Sequence, residues 1–296
     1  ALAPPGELID RYRAALPFEL TEHQDGVIAE IDRDLAATTP MQRLLQGDVG
    51  SGKTVVALYA LLRAVESGRQ GALMAPTETL AEQHFLTVEA LCAELGVRCV
   101  LLTSAVRARE HAAVRAELAS GELSMVVGTH ALIEESVEFR DLAVCVVDEQ
   151  HRFGVRQRAA LDAKAPEGLS PHVLHMTATP IPRTLALTAY GDLETTVLKE
   201  LPSGRQPIDT HVVNGVRERE RAYEKAGEEI GKGRQCFVVC PLVEESEALQ
   251  AKAATAEAER LRQEEFRGQR VSLIHGQMKS AEKQAAMQRI PAREDH

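Results

Sequence analysis

The fold is decided by Gly47-Asp48-Val49-Gly50-Ser51-Gly52-Lys53-Thr54, which has the form G-x-x-x-x-G-K-S/T of a P-loop. In such a loop, backbone N–H groups surround phosphate oxygens, the lysine neutralises the outer phosphates and the threonine hydroxyl coordinates Mg²⁺. A glycine-rich turn that only reverses the chain would not need Lys53 and Thr54. The stretch therefore predicts a nucleoside triphosphate site in which the whole loop binds nucleotide and Thr54 binds the metal.

The residues on both sides of the loop fit the strand and the helix that a phosphate site needs. Residues 41–46 can form a strand that leads in, and residues 53–66 carry enough closely spaced apolar side chains for a largely buried helix. Gly68 suits the C-terminal end of that helix. Because N–H groups at a helix N-terminus attract anions, strand, loop and helix together predict phosphate binding.

Further along the chain, apolar strands alternate with helices. Because these strands are apolar on both faces, the pattern predicts an α/β fold with a parallel sheet flanked by helices. The predicted strands are 71–76, 97–103, the first part of 124–130, 142–147 and 173–176, and the predicted helices are 22–35, 77–95 and 109–119.

The remaining segments suggest two lobes and a linker at each boundary. Residues 191–207 carry turn signals without a long periodic run, which predicts a linker between lobes. A second α/β unit is predicted at 208–296. Residues 1–20 hold several prolines around a short amphipathic piece, and we expect a linker from a preceding domain. In the second unit, strands are predicted at 208–213, 236–240 and 271–274, with helices near 218–230, at 244–266 and from 280.

The composition is that of a soluble protein of about two domains. The chain has 296 residues, of which 44% are hydrophobic and 26% charged. Its net charge of −10 argues against wholesale coating of nucleic acid but is compatible with a local basic track. The 5 cysteines lack C-x-x-C spacing, which favours free thiols over zinc and predicts a reducing, cytoplasmic location. No apolar run reaches the roughly 18 residues of a membrane span.

An acidic pair, Asp148-Glu149, follows the apolar run 142–147. In P-loop enzymes an acidic residue on a neighbouring strand holds Mg²⁺. We therefore expect Asp148 to bind the metal and Glu149 to orient or deprotonate the water that attacks the γ-phosphate, with Lys53 as the third catalytic residue. The alternative is a solvated acidic pair where a strand meets water.

A family resemblance enters with Asp148-Glu149-Gln150-His151, which resembles the DExH box of superfamily 2 helicases. Residues 152–154 (Arg-Phe-Gly) and 176–186 (Met-Thr-Ala-Thr-Pro-Ile-Pro-Arg-Thr-Leu-Ala) resemble the motors of the RecG family and of transcription-repair coupling factors. Residues 16–24, 192–205 and 275–278 are more similar to the RecG family. The resemblance covers nearly the whole chain.

The resemblance implies two RecA-like lobes with ATP and Mg²⁺ between them. The first lobe would span 21–190, the linker 191–207 and a truncated second lobe 208–296, while residues 1–20 would follow a missing wedge domain. The family's T-x-x-x-E-x-G-x-D-x-P and Q-x-x-G-R-x-G-R segments are absent from the sequence. Because the second of them carries an arginine that reaches ATP, we expect a motor fragment of low activity on its own.

Individual side chains acquire roles through the same resemblance. Gln24 would lie near adenine, although Thr21-x-x-Gln24 is also a helix-capping box. His151 would couple the nucleotide site to the facing lobe. Thr177 and Thr179 would link hydrolysis to movement, with strand-end capping as the alternative.

Candidate DNA contacts follow two of the predicted strands. Thr77 at a helix start, and Gly128-Thr129-His130 at a strand end, match family segments that face the nucleic-acid backbone. Hydroxyls and helix N-termini suit phosphate oxygens, and such contacts read no base sequence. Either threonine could instead only cap a helix.

The implied function is that of an ATP-dependent DNA helicase or translocase motor of the RecG type, which remodels stalled forks and Holliday junctions in repair and recombination. The expected ligands are ATP, Mg²⁺ and branched or duplex DNA, and we expect a monomeric motor without membrane contact. Two alternatives stay open. One is an ATP-binding module without hydrolysis of its own, and the other is the motor of a transcription-repair coupling factor.

Overall fold

The structure is a computed structural model that describes residues 1–103, 108–149, 155–166, 169–179, 193–199, 208–240, 247–278, 282–283 and 285–286. The chain divides into two compact units, Ala1–Gln206 and Pro207–His296, which are described separately below. No helix among these residues is long and apolar enough to cross a membrane.

The first unit is built on one sheet of seven parallel strands in the order β3-β4-β2-β5-β6-β1-β7. All six neighbouring pairs are parallel. The parallel α/β sheet predicted from the sequence is therefore confirmed. The strands are β1 (Gln42–Gly47), β2 (Gln70–Met74), β3 (Cys99–Leu102), β4 (Met125–Gly128), β5 (Leu142–Asp148), β6 (His172–Thr177) and β7 (Glu194–Leu198).

Helices connect the strands and begin and end where the sequence offers suitable caps. The helix after the P-loop begins behind Gly52, and the next one ends at Gly96, whose φ of 72° is readily adopted only by glycine. The helices of this unit are α1 (Glu7–Ala15), α2 (Glu22–Ala36), α3 (Lys53–Glu66), α4 (Glu78–Leu95), α5 (Ala108–Ser120) and α6 (Val155–Asp162), with a short 3-10 helix at His130–Ile133.

Two apolar layers cover the two faces of the sheet. Helices α1 to α4 supply one layer, and α5 and α6 supply the other. Strands covered on both faces explain why the sequence shows continuous apolar runs instead of alternation. The first layer includes Ile9, Tyr12, Ile28, Leu58, Leu61, Leu73 and Val146, and the second includes Val114, Leu118, Val126, Cys145 and Leu161.

Residues 1–20, which the sequence predicts as a linker, include α1, and this helix packs on the first unit. Ile9 and Tyr12 are fully buried against α3 and α4. The Glu66 carboxylate accepts hydrogen bonds from the N–H groups of Gly6 and Leu8, both at 2.8 Å. An acidic side chain at a helix N-terminus satisfies N–H groups that lack partners within the helix. The amphipathic piece is therefore part of the core.

The stretch 191–207, which the sequence predicts as a linker between lobes, contains β7. Residues Glu194–Leu198 pair in parallel with β1, where Arg43 lies opposite Glu194 and Gly47 opposite Leu198. This edge strand is largely exposed and has little apolar character, so only its β-branched residues indicated a strand. Backbone pairing with β1 stabilises β7, and such pairing leaves no periodic pattern in the sequence.

The second unit contains helices but no strand among its described residues. Helix α7 spans Val216–Gly231 and α8 spans Glu247–Gln263. The strands predicted at 208–213, 236–240 and 271–274 are not formed. Phe237 and Val239 are 70% and 86% exposed, and a parallel strand needs a paired neighbour for its backbone groups. Of the helix predicted from residue 280, residues 282–283 and 285–286 are helical, and the rest lies outside the described residues.

A buried histidine makes the first unit sensitive to acid. His172, at the start of β6, is 4% exposed, and its Nδ1 accepts a hydrogen bond from Met41 N at 3.0 Å. Burial, with the positive charge of Arg69 acting in the same direction, lowers the pKa of His172 from 6.5 to about 4. Protonation is therefore easier in the unfolded chain, and stability is lost as the pH falls from about 6.5 to about 4.

We expect this effect to cost about 2–3 kcal/mol of unfolding free energy at pH 4 relative to pH 7. Urea unfolding at both pH values, in the wild-type chain and in His172→Gln, measures it. The variant should lose less stability between the two pH values than the wild type. An equal loss in both proteins would show that His172 is not responsible.

Candidate nucleotide-binding site

The P-loop follows β1 and leads into α3. Gly50 and Gly52 have φ values of 82° and 85°, a region that side-chain-bearing residues rarely adopt. A Cβ atom on Gly47 would lie 2.6 Å from Ser51 Oγ, so the loop closes tightly on its own first residue. Because α3 begins at Lys53, the N–H groups of Lys53 and Thr54 lie at the helix N-terminus, where they can donate hydrogen bonds to an anion.

The Lys53 ammonium lies over the loop. Its Nζ donates hydrogen bonds to the carbonyl oxygens of Gly47 at 2.7 Å and Asp48 at 2.9 Å. Burial lowers the pKa of Lys53, and the negative charges of Asp148, Glu149 and Asp48 oppose this shift. The charges of Asp148, at the end of β5, and of Glu149, just after it, therefore act on the lysine of the P-loop.

Gln24 connects α2 to the P-loop. It forms the predicted capping box with Thr21, in which each residue accepts a hydrogen bond from the other's backbone N–H. Its Nε2 also donates to Ser51 O at 3.1 Å, and a Cβ on Gly52 would collide with the Gln24 amide. Only 3% of Gln24 is exposed. Capping and contact with the loop thus coexist, and the adenine contact stays a prediction.

The acidic pair lies at the carboxyl end of β5. The Asp148 side chain is 12% exposed; its Oδ1 accepts a hydrogen bond from Glu149 N at 3.0 Å, and its Oδ2 lies 2.7 Å from His84 Nε2. Glu149 has a φ of 50°, the left-handed conformation that costs a non-glycine residue about 1–2 kcal/mol. Such backbone strain is concentrated at functional sites, where the surrounding structure holds it in place.

Strand β6 lies between β1 and β5, and its carboxyl end lies between the P-loop and the acidic pair. The register places Thr177 beside Gln46, the residue before Gly47, and Met176 beside Asp148. Thr177 is 1% exposed, and its hydroxyl accepts a hydrogen bond from Thr179 N at 3.1 Å. The capping alternative is therefore present, while the coupling role of both threonines stays a prediction. His151 lies outside the described residues.

The candidate DNA contacts also act as caps. Thr77 is the N-cap of α4 and accepts a hydrogen bond from Leu80 N at 3.3 Å. Thr129 caps the short 3-10 helix through a hydrogen bond from Ala131 N at 3.5 Å. His130, the first residue of that helix, is half-buried. These contacts neither require nor prevent an approach of DNA, so the DNA role stays a prediction.

The residues present fit a nucleoside triphosphate with Mg²⁺. Oxygen ligands are what Mg²⁺ prefers, and the site offers the Asp148 carboxylate together with the Thr54 hydroxyl in the first turn of α3. The N–H groups of the loop and Lys53 supply donors for phosphate oxygens. In an open parallel sheet, ligands bind outside the carboxyl ends of the strands, which is where all these groups lie.

One residue of the site was missed by the sequence analysis. His84 lies within α4, and no sequence motif around it indicates a role in nucleotide binding. Only the contact with Asp148, which is 64 residues away in sequence, reveals it.

Comparison with known proteins defines the class. Residues 21–188 match the DEAD/DEAH box helicase family, and the chain belongs to that family. It is 50% identical over 284 residues to the ATP-dependent DNA helicase RecG of a Synechocystis strain, covering 96% of this chain and 34% of that protein. The RecG helicase of Escherichia coli K12 is 50% identical over 281 residues, covering 95% of this chain and 40% of that protein.

A solved structure agrees with these relatives. A RecG bound to a three-way DNA junction superimposes with a TM-score of 0.78 at 37% identity, covering 97% of this chain and 37% of that one. Mss116p, at 18% identity and a TM-score of 0.69, shows the fold alone. The chain thus spans between a third and two fifths of the length of its RecG relatives. The predicted RecG resemblance and RecA-like fold class are confirmed.

Proposed function

We propose that this chain is the motor part of an ATP-dependent DNA helicase or translocase of the RecG type. The observation that supports it best is that the P-loop and the acidic pair lie at the carboxyl ends of strands of one parallel sheet, where the charges of Asp148 and Glu149 act on Lys53. This arrangement joins a phosphate-binding loop to an acidic pair, the two halves of a site for ATP hydrolysis.

Each group has a chemical task in this proposal. The loop N–H groups and Lys53 bind the β- and γ-phosphates of the substrate ATP, and Thr54 and Asp148 hold Mg²⁺. The bound metal neutralises charge on the phosphates. Glu149 orients the attacking water and accepts its proton, which is the task of a general base. Lys53 keeps the transferred phosphoryl group in line.

The base of the nucleotide is assigned to the cleft where α1 meets α2. An open cavity of about 620 Å³ lies there, lined by Arg13, Leu16, Phe18 and Leu20 among others. The Phe18 ring is half exposed and offers a flat apolar surface on which an adenine could stack. Gln24, in the first turn of α2, is next in sequence to Asp25, which lines this cleft, and its amide contacts Ser51 of the loop.

The substrate of the motor is assigned as duplex or branched DNA, contacted through its backbone. The solved RecG relative was bound to a three-way DNA junction. Thr77, Thr129 and His130 would face the phosphates, and Thr177 and Thr179 would link hydrolysis to movement. Remodelling of stalled forks and Holliday junctions, a monomeric state and a cytoplasmic location belong to the same proposal.

DNA-dependent hydrolysis tests this function. Single-turnover ATP hydrolysis, with the chain in excess over ATP, is measured without DNA, with a linear duplex and with a three-way junction of the same length. A motor should hydrolyse ATP faster in the presence of DNA, even if slowly in absolute terms. Tight ATP binding with a hydrolysis rate that no DNA changes would instead favour the ATP-binding module.

A further inference from the structure

A histidine of helix α4, His84, contacts Asp148 of the acidic pair. His84 Nε2 lies 2.7 Å from Asp148 Oδ2, and the side chains of both residues are mostly buried, with exposed fractions of 15% and 12%. The other oxygen of Asp148, Oδ1, accepts the Glu149 N–H at 3.0 Å. Both carboxylate oxygens thus have a fixed hydrogen-bond partner, one from the strand end itself and one from a separate helix.

His84 is a polar residue on the face of α4 that packs against the apolar layer. Ala81 precedes it by three residues and Val88 follows it by four, so all three share one face of the helix. Ala81 and Val88 are fully buried in the apolar layer. The packed face of α4 therefore carries a polar ring at the point where it reaches the carboxyl edge of the sheet. An apolar residue there would leave Asp148 Oδ2 without its contact with His84.

We propose that His84 is a positioning residue for Asp148, whose carboxylate it holds in the orientation that binds Mg²⁺ together with ATP. An ionised carboxylate can only accept hydrogen bonds, so His84 must present Nε2–H to Oδ2. Each oxygen keeps a further lone pair for a metal or its water ligands. The inference rests on the proposed function, in which Asp148 holds the metal.

The test is the Mg²⁺ dependence of nucleotide binding, measured at one pH with a fluorescent ATP analogue and the full 296-residue chain. His84→Leu should raise the Mg²⁺ concentration for half-maximal enhancement of binding about 10-fold or more, the usual effect of losing a hydrogen-bond partner of a metal ligand. Affinity in EDTA should stay unchanged, because the phosphate-binding loop is untouched. His84→Gln should restore most of the Mg²⁺ dependence, since its amide can donate from a similar position.

A matched control is available in another histidine of the same unit. His111, on α5, hydrogen-bonds Thr103 O at 2.6 Å, and among the described residues no hydrogen bond joins it to the acidic pair. His111→Leu should leave the Mg²⁺ dependence as it is in the wild type. Thermal unfolding of the two leucine variants separates loss of stability from loss of positioning.

The outcomes are distinguishable. An unchanged Mg²⁺ dependence in His84→Leu overturns the inference, as does an equal loss of affinity with and without Mg²⁺, which would indicate a purely structural role. Failure of His84→Gln to restore the dependence also counts against it. Asp148→Asn tests the proposed function separately. If that variant keeps the Mg²⁺ enhancement, the metal assignment of Asp148 itself is wrong; if it loses the enhancement while His84→Leu keeps it, only the inference about His84 fails.

Discussion

Replacing Glu149 by glutamine is expected to lower DNA-stimulated ATP hydrolysis by about 10²–10⁴-fold, the usual contribution of a general base. Glutamine has nearly the same shape, so the strained backbone at φ 50° and the hydrogen bond from Glu149 N to Asp148 should persist. The amide cannot accept a proton from water. Nucleotide binding, which depends on the loop and the metal ligands, should therefore change little.

Single-turnover hydrolysis and equilibrium binding of an ATP analogue measure the two parts of this expectation. Glu122→Gln serves as the control, because Glu122 is exposed beyond α5, where its N–H donates to Ser120 Oγ. A Glu149→Gln variant that hydrolyses ATP at the wild-type rate would remove Glu149 from the catalytic role.

Replacing Arg43 by methionine is expected to lower the free energy of unfolding of the first unit by about 3 kcal/mol. Arg43 is 5% exposed in β1, and its guanidinium bonds Asp34 at 2.7 Å, Glu30 at 2.9 Å and Glu194 at 2.5 Å. Removal of the cation leaves these three carboxylates without their positive partner. It also removes the ion pair between Arg43 of β1 and Glu194 of the edge strand β7.

Urea unfolding followed by circular dichroism measures this loss. Arg98→Met is the matched comparison, because Arg98 pairs with Glu117 while 58% of its side chain is exposed. An exposed pair contributes under about 1 kcal/mol. If the two variants lose the same stability, the network around Arg43 does not hold the edge strand.

The parts of the fold that the sequence predicted best are those with a strong local pattern. The helix Lys53–Glu66 has the predicted bounds, and the apolar run that ends at Asp148 forms β5. In both cases burial on all sides leaves a continuous apolar signal, and glycine or charge marks the end. The P-loop was predictable for the same reason, because phosphate binding demands particular residues at fixed spacing.

Elements that depend on distant partners were not predictable. The edge strand β7 is held by backbone pairing and by Arg43, and α1 by the Glu66 carboxylate and the burial of Tyr12. Conversely, residues 236–240 have a strong strand composition but lack a neighbouring strand among the described residues. Strand propensity reports how well a residue fits a sheet and not whether a sheet is there.

In the candidate site, too, residues in local motifs were predictable and residues that depend on distant partners were not. Lys53, Asp148 and Glu149 could be assigned from motifs, whereas His84 could not, since its contact with Asp148 depends on how α4 packs on the sheet. Gln24 was predicted both as a cap and as a site residue, and the structure shows that one side chain caps α2 and contacts Ser51 of the loop.

The central claim is that residues 47–54 and the Asp148-Glu149 pair form one Mg²⁺·ATP site, and binding of a fluorescent ATP analogue by the wild-type chain and by Lys53→Ala tests it most directly. The wild type should bind with an affinity that Mg²⁺ increases. Loss of the Lys53 ammonium should weaken binding about 100-fold, because charge-assisted hydrogen bonds contribute about 1.5–3 kcal/mol. Equal affinity of the two proteins, or wild-type binding that ignores Mg²⁺, would contradict the assignment.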